Sequence, residues 1–298
     1  MPRALLYYYD KDFWQAFFTK LGFNTIISSK SNKKILQNGT SLANSESCLA
    51  LKIYLGHILD LKDKCDYILV PRMYSIKKNE QVCTNFNSLY DLVNNIFDVK
   101  ILNYNIDLTK GKSKLIAFLK LGETLGISYI ETYNAFKHAE KVAQEKRKIE
   151  EESQRQILET NSIKILLAGH PYNLYDELIG KTITNFLSKN NVSILYSNKI
   201  DSTIIDTECQ QLSTDIHWTH SKEVVASINY YHDKVDGIII VSSFPCGPDS
   251  LSNELITRKI KNIPIITLVF EDLNSESGVI TRLESFIDIL ERRRLCQK

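Results

Sequence analysis

The stretch IIIVSSFPCGPDS, Ile238–Ser250, joins an apolar run to a cysteine that stands between two prolines and is followed by a glycine. The apolar run is typical of a strand buried on both faces of a parallel sheet. The glycine and the second proline lead into Asp249 and Ser250, residue types that are favoured where a helix begins. The stretch therefore predicts a strand, a sharp turn that carries Cys246, and a helix.

The same alternation of strands and helices extends along the whole chain. In the first half we predict strands at Ala4–Tyr9, Asn24–Ser28, Tyr67–Val70 and Lys100–Asn103, with helices at Lys11–Leu21, Cys48–Leu61, Ser88–Phe97 and Lys112–Leu125. In the second half we predict strands at Lys164–Ala168, Ser193–Tyr196, Gly237–Val241 and Ile263–Leu268, with helices at Asp176–Ser188, Lys222–His232, Ser250–Lys259 and Gly278–Arg292. Because such alternation builds parallel sheets covered by helices, the predicted fold class is α/β.

Two such halves predict two domains, and 298 residues are enough for each to bury its own core. We expect an N-terminal α/β domain over residues 1–130, a connecting helix over 131–160, and a C-terminal α/β domain over 161–298. The segment Lys137–Gln156 carries mixed charges at helical spacing, which favours a solvated helix. A surface for docking a partner is the alternative for this segment.

The composition excludes several classes of protein. Basic and acidic residues, 37 and 35, are well mixed and give a net charge of +2, so we expect no nucleic-acid partner. No run of about 18 apolar residues occurs, so we expect no membrane partner. The N-terminal apolar run is too short for a secretory signal, which predicts a cytoplasmic protein.

Six cysteines are the candidates for chemistry, because cytoplasmic cysteines are more often thiols, catalytic groups or metal ligands than disulfides. They are Cys48, Cys65, Cys83, Cys209, Cys246 and Cys296, and their spacing contains no CxxC pair. Open parallel sheets bind ligands at the carboxyl ends of their strands. Any shared site has to be assembled by the fold.

Topology selects three of these thiols. Cys246 and Cys83 follow the carboxyl ends of predicted strands, and Cys48 opens a predicted helix, whose N-terminus favours a thiolate. Cys65 precedes its strand and is expected to be a structural thiol. Three thiols facing one cleft could hold an iron-sulfur cluster, and three unrelated buried cysteines are the alternative.

Seven blocks of sequence stand out along the chain: PRALLYY from Pro2, NKKIL from Asn32, ESCLALKIYLGHILDLKDKCDYILVPR from Glu46, VCTNF from Val82, AGHPYNLYDELIG from Ala168, FPCGPDS from Phe244 and ESGVITRLESFIDIL from Glu276. Together they resemble the 2-hydroxyacyl-CoA dehydratase component family, in particular the group related to the acyl-CoA dehydratase activase. The resemblance implies two flavodoxin-like, Rossmann-like domains with parallel sheets around a 4Fe-4S cluster in the cleft between them. It places the cluster ligands on Cys48, Cys83 and Cys246.

The resemblance also implies a function. Proteins of this kind are oligomers that accept an electron from a separate ATP-hydrolysing iron-sulfur activator and use it in low-potential reduction of an acyl-CoA or another activated small substrate. The chain is shorter than typical dehydratase subunits. A non-catalytic electron carrier or assembly partner with the same cluster, and a metal-free two-lobed small-molecule binding protein, are the alternatives.

Overall fold

A computed structural model describes residues 1–271 and 276–296, which cluster into two compact units. Unit 1 comprises Met1–Lys148 and His217–Thr219, and unit 2 comprises Ile149–Ile216 and the residues from His220 onward. Within the described ranges, no helix combines the length and the apolar character needed to cross a membrane.

Unit 1 is mainly helical and contains two short parallel strand pairs. Its helices are α1 (Tyr7–Lys20), α2 (Lys33–Leu42), α3 (Leu49–Leu61), α4 (Thr84–Ile96), α5 (Lys114–Thr124) and the first part of α6 (Tyr129–Leu158). Its strands are β1 (Ile68–Leu69), β2 (Arg72–Ser75), β3 (Ile101–Leu102) and β4 (Asn105–Asp107). Strand β1 pairs with β3, and β2 pairs with β4.

Aromatic side chains at helical spacing form the core of unit 1. Helix α1 buries Phe13, Trp14 and Phe17 on one side, and the rings of Phe13 and Phe17 each lie 4.9 Å from the ring of Phe118. The indole N–H of Trp14 donates a hydrogen bond of 2.9 Å to the hydroxyl of Tyr104. This packing holds α1 in place, and the tyrosine-rich start of the chain, residues 7–9, forms its first turn.

Unit 2 contains a four-stranded parallel sheet with the strand order β6-β5-β7-β8. The strands are β5 (Lys164–Gly169), β6 (Ser193–Tyr196), β7 (Gly237–Ser243) and β8 (Ile265–Phe270). The helices are the end of α6, then α7 (Pro171–Leu174), α8 (Gly180–Lys189), α9 (Ile205–Leu212), α10 (Thr219–Tyr231), α11 (Gly247–Lys259) and α12 (Glu276–Cys296). Strands β5 and β7 are neighbours, with Gly169 opposite Val241, so the residues that follow both strands emerge at one edge.

The prediction of an α/β chain with parallel sheets is confirmed, and so are all four strands of the second half. In the first half, the predicted strands Ala4–Tyr9 and Asn24–Ser28 are wrong. Residues 7–20 form α1. Residues 24–28 do not form a strand, although backbone hydrogen bonds join Ile26 and Ser28 to Met1. The helix predicted around Lys137–Gln156 is part of α6. The domain boundaries at residues 130 and 160 stay a prediction.

Candidate functional site: three cysteines at helix N-termini

Cys48 stands at the N-terminus of α3. Its carbonyl oxygen accepts hydrogen bonds from the backbone N–H groups of Leu51 and Lys52 at 3.0 and 3.1 Å, which makes it the N-cap residue. The prediction that a helix opens at Cys48 is therefore confirmed. Its thiol is half-buried and lies at the positive end of the helix dipole, where a thiolate is stabilised.

Helix α3 is held against α2 by a contact between two glycines. A Cβ atom on Gly39 would lie 1.7 Å from the carbonyl oxygen of Lys52, and a Cβ atom on Gly56 would lie 2.0 Å from the carbonyl oxygen of Ile35. The two helix backbones therefore touch without intervening side chains. This contact fixes the helix that begins at Cys48.

Cys83 stands at the N-terminus of α4, because the backbone N–H of Phe86 donates to its carbonyl oxygen at 2.9 Å. The sequence pattern predicts a helix that starts only at Ser88, whereas α4 starts four residues earlier, at Thr84. Two residues before Cys83, the backbone of Gln81 pairs with His217–Thr219 through bonds of 2.9 Å. These bonds hold the loop that delivers Cys83.

Within unit 1, the N-terminus of α4 lies beside Cys48. The side-chain amide of Asn85, the second residue of α4, donates a hydrogen bond of 3.7 Å to the sulfur of Cys48. Hydrogen bonds to sulfur stabilise the thiolate form and tune the potential of a metal bound to it. The structure thus associates two of the three predicted ligands with neighbouring helix starts.

Cys246 stands at the N-terminus of α11, three residues after the end of β7. Its carbonyl oxygen accepts the backbone N–H of Ser250 at 3.0 Å and the Ser250 hydroxyl at 2.8 Å. The half-buried residue also lines a cavity of about 290 Å³ in unit 2. The cavity is lined by Ser242, Ser243, Phe244, Cys246, Ser250, Asn253, Glu254, Thr257, Thr267 and Val269, among which Glu254 is the charged side chain.

His170 and Asp249 form a buried pair at the same edge of the unit 2 sheet. His170 follows β5, and its Nε2 atom lies 2.7 Å from Oδ1 of Asp249 in the first turn of α11. Burial disfavours the charged imidazole, but Asp249 and, more weakly, Glu223 raise the pKa of His170 above its ordinary value. In contrast, burial and then the charge of His170 lower the pKa of His220 to about 3.

A glycine makes the approach of the two strand ends possible. Gly169, the last residue of β5, has a φ of +155°, and a Cβ atom on it would lie 2.4 Å from the carbonyl oxygen of Val241 in β7. Its N–H donates to the Ser197 hydroxyl at 3.1 Å, and that hydroxyl donates back to its carbonyl oxygen at 3.0 Å. The corner that carries His170 is therefore fixed on both sides.

The other three cysteines occupy different surroundings. Cys65 follows α3 and lines a cavity of about 470 Å³ in unit 1, where burial raises the pKa of its thiol. Cys209 lies inside α9 in the core of unit 2, and Cys296 is exposed at the end of α12. None of these three stands at the start of one of the helices described.

Among residues 1–271 and 276–296, no three His, Cys, Asp or Glu side chains are grouped closely enough to hold a metal ion by themselves. The predicted ligand set takes Cys48 and Cys83 from unit 1 and Cys246 from unit 2. The assignment of a 4Fe-4S cluster to these thiols therefore stays a prediction. Their chemistry fits such a cluster, because cysteine thiolates are its usual ligands.

Sequence reasoning did not single out Asn85 beside Cys48 in unit 1, or Asp249 beside His170 in unit 2. A signal for Asp249 is present, because an acidic residue in the first turn of a helix is favoured by the helix dipole. Its partner His170 lies 79 residues away, and the partner of Asn85 lies 37 residues away. Neither pairing has a local signature in a single sequence.

The fold and the cysteines thus define an α/β protein whose half-buried thiols stand at helix N-termini. Residues 1–200 match the model of the CoA enzyme activase uncharacterised domain family, so the match covers about two thirds of the chain. The chain belongs to this family. Comparison with curated proteins finds no match. This membership supports one part of the predicted resemblance, the relation to the activase group. The resemblance to the dehydratase component itself is a proposal.

Proposed function

We propose that this chain is an iron-sulfur protein in which Cys48, Cys83 and Cys246 are ligands of a 4Fe-4S cluster. The observation that supports this assignment is the shared position of the three thiols: each is the N-cap residue of a helix. A helix N-terminus stabilises a thiolate and an anionic cluster through its exposed N–H groups and its dipole. Cys65, Cys209 and Cys296 do not stand at a helix N-terminus, so the same criterion favours the other three cysteines as the proposed ligands.

The residues around the thiols fit this role. The side-chain amide of Asn85 donates a hydrogen bond to the sulfur of Cys48, and such donors orient a thiolate and tune the metal that it binds. All three proposed ligands are half-buried, which limits contact with water without closing the thiols off. When bound, the cluster supplies one electron at low potential.

The match to a CoA enzyme activase domain connects this chain with the activation of CoA enzymes. We propose, beyond that match, that the chain accepts an electron from a separate ATP-hydrolysing iron-sulfur activator. The chain then uses this electron in low-potential reduction of an acyl-CoA-like small substrate. In unit 2, the cavity beside Cys246 offers hydroxyl groups and one carboxylate, so it suits a small, uncharged, polar part of such a substrate.

The second candidate function is an electron carrier or assembly partner that uses the same cluster without a substrate. The lining of the cavity beside Cys246 favours this candidate. None of its residues is a lysine, arginine or histidine that could pair with the phosphates of CoA. An electron carrier does not need to bind these phosphates.

The test is iron and sulfide analysis after anaerobic purification and reconstitution. For one 4Fe-4S cluster per protein chain, we expect about four iron and four sulfide ions per chain. Cys246→Ser, Cys48→Ser and Cys83→Ser each lower the iron content, whereas the matched control Cys65→Ser leaves it unchanged. Wild-type protein that stays colourless and free of iron would refute the cluster.

A second measurement separates the enzyme from the carrier. The electron paramagnetic resonance spectrum of the reduced protein is recorded with and without short-chain acyl-CoA thioesters. A change in the spectrum supports a substrate next to the cluster. An unchanged spectrum with every thioester tested favours the carrier.

A further inference from the structure

The turn that carries Cys246 is tied at both ends to one short segment of unit 2. This turn, Ser243–Asp249, extends three residues to either side of Cys246. The Ser243 hydroxyl donates a hydrogen bond of 2.7 Å to Oδ1 of Asn173, and Asp249 lies 2.7 Å from His170. The segment His170–Asn173 therefore holds both ends of the cysteine turn, and we call it the clamp.

The first tie is a charged one. His170 and Asp249 are 5% and 8% exposed, so their bond is shielded from competing water. The groups around the His170 ring are Asp249, His220 with a ring centroid at 6.3 Å, Tyr172 stacked at 5.1 Å, and the carboxylate of Glu223. Two carboxylates and a stacked ring favour an imidazolium that is fixed in orientation.

The second tie buries the side-chain amide of Asn173, and this burial lowers the stability of the fold. Asn173 is fully buried, and among the described residues its Nδ2 atom has no hydrogen-bond partner although its Oδ1 atom accepts from Ser243. A buried donor without an acceptor destabilises a fold. An asparagine at this position is therefore explained by what its oxygen does, which is to hold the end of β7.

The clamp itself is held by hydrogen bonds. It begins at the corner where Gly169 is bonded in both directions to the Ser197 hydroxyl. Its helical turn is closed by the N–H groups of Asn173 and Leu174, which donate to the carbonyl oxygen of His170 at 2.8 and 3.1 Å. A rigid element bonded on both sides of a loop reduces the conformations of that loop.

We propose that His170 and Asn173 are positioning residues for Cys246, which hold its turn so that the thiol is placed before any ligand binds. The placement is a property of unit 2 alone. Its use for a metal rests on the function proposed above, because it assumes that Cys246 is a ligand. A ligand placed in advance binds without the entropy loss of ordering its loop.

The experiment measures alkylation of each thiol by iodoacetamide in the metal-free full-length protein, by peptide mass spectrometry. For His170→Ala and Asn173→Ala we expect the rate at Cys246 to rise on the order of tenfold, as for loss of one buried hydrogen bond. His170→Gln keeps a donor that reaches Asp249, so its rate at Cys246 should stay within about twofold of wild type. His232→Ala, at a half-buried histidine elsewhere in unit 2, is the matched control and leaves Cys246 unchanged.

The alkylation rates of the other thiols show whether a variant has loosened the turn of Cys246 alone or has unfolded unit 2. Cys209 is fully buried, so its alkylation marks global opening of unit 2, and Cys296 is exposed and calibrates the reagent. If His170→Ala opens the whole unit, the comparison of Asn173→Ala with wild type decides. Rates at Cys246 within twofold of wild type in folded His170→Ala and Asn173→Ala overturn the clamp. If wild-type protein contains no iron after reconstitution but its Cys246 is alkylated slowly, the proposed cluster is refuted and the proposed clamp is not.

Discussion

Gly39→Ala tests the contact between α2 and α3 that supports the helix of Cys48. The new Cβ atom would lie 1.7 Å from the carbonyl oxygen of Lys52 and 2.7 Å from the carbonyl carbon of the same residue. An ordinary contact needs about twice the shorter distance, and backbone atoms cannot rotate away as a side chain does. The two helices must therefore separate.

The structure sets the magnitude of this effect. Overpacking costs about 1–3 kcal/mol, and a clash with backbone belongs at the upper end of that range. Alanine is favoured over glycine inside a helix by about 1 kcal/mol, which offsets part of the loss. We expect Gly39→Ala to lower the free energy of unfolding by about 2 kcal/mol, and the Tm by about 6 °C.

The assay is urea unfolding monitored by circular dichroism, with Gly56→Ala as the reciprocal variant. Both glycines lie in one contact, so the double variant should lose less stability than the sum of the single variants. Gly247→Ala is the control, because a Cβ atom on Gly247 meets nothing within 4 Å. Wild-type stability in both Gly39→Ala and Gly56→Ala would refute the direct contact between the two backbones.

Two further predictions concern buried polar groups. Burial lowers the pKa of His57 to about 4, and its ring nitrogens lie 2.9 Å from the hydroxyls of Ser28 and Ser31. Since the unfolded chain takes up this proton near pH 6.5, His57 should contribute a loss of stability of about 3 kcal/mol between pH 6.5 and 4, beside the contribution of His220. Urea unfolding at several pH values checks this, and His57→Gln should reduce the pH dependence by this amount whereas His138→Gln on the exposed face of α6 should not. The side chain of Gln154 accepts the N–H of Tyr196 at 2.9 Å and donates to its carbonyl oxygen at 3.0 Å. Gln154→Leu leaves the backbone N–H and carbonyl oxygen of Tyr196 in β6 without these partners and should lower the free energy of unfolding by about 3 kcal/mol. The control is Gln156→Leu at an exposed position of α6. Equal stability of the two variants would contradict this role of Gln154.

The second half of the chain could be predicted from its sequence because its signals are local and agree. Each strand of unit 2 is a short apolar run next to a helical pattern, and β6 has the predicted bounds Ser193–Tyr196. In the first half, the strand predicted at Ala4–Tyr9 was wrong because aromatic residues are common both in strands and in buried helices. Residues 7–9, for which we predicted part of a strand, instead form the first turn of α1, whose later residues fall in the helix predicted at Lys11–Leu21.

Helix α2 was missed for a related reason. Its sequence KKILQNGTSL contains Asn, Gly, Thr and Ser, which are typical of loops. The glycine is a packing residue against α3, and Asn32 caps the helix by accepting the N–H of Ile35 at 3.1 Å. Tertiary contact overrode local propensity here.

The positions of the cysteines were partly predictable. The start of α3 at Cys48 follows from the sequence pattern, but α4 and α11 begin three or four residues before their predicted starts at Ser88 and Ser250. These earlier starts turn Cys83 and Cys246 from loop residues into N-cap residues. The bonds that hold the turn of Cys246 join residues 70 and 79 positions apart, and only the folded chain reveals them.

The side chain that Gly169 lacks has a consequence for protein design. Only a residue without a Cβ atom lets β5 end against Val241, and only that approach places His170 opposite Asp249. Grafting FPCGPDS alone into another parallel sheet would transfer a cysteine on an untethered loop. The transferable unit is two peptides on adjacent strands, GHPYN from Gly169 and SFPCGPD from Ser243, and neither is sufficient as a template without the other.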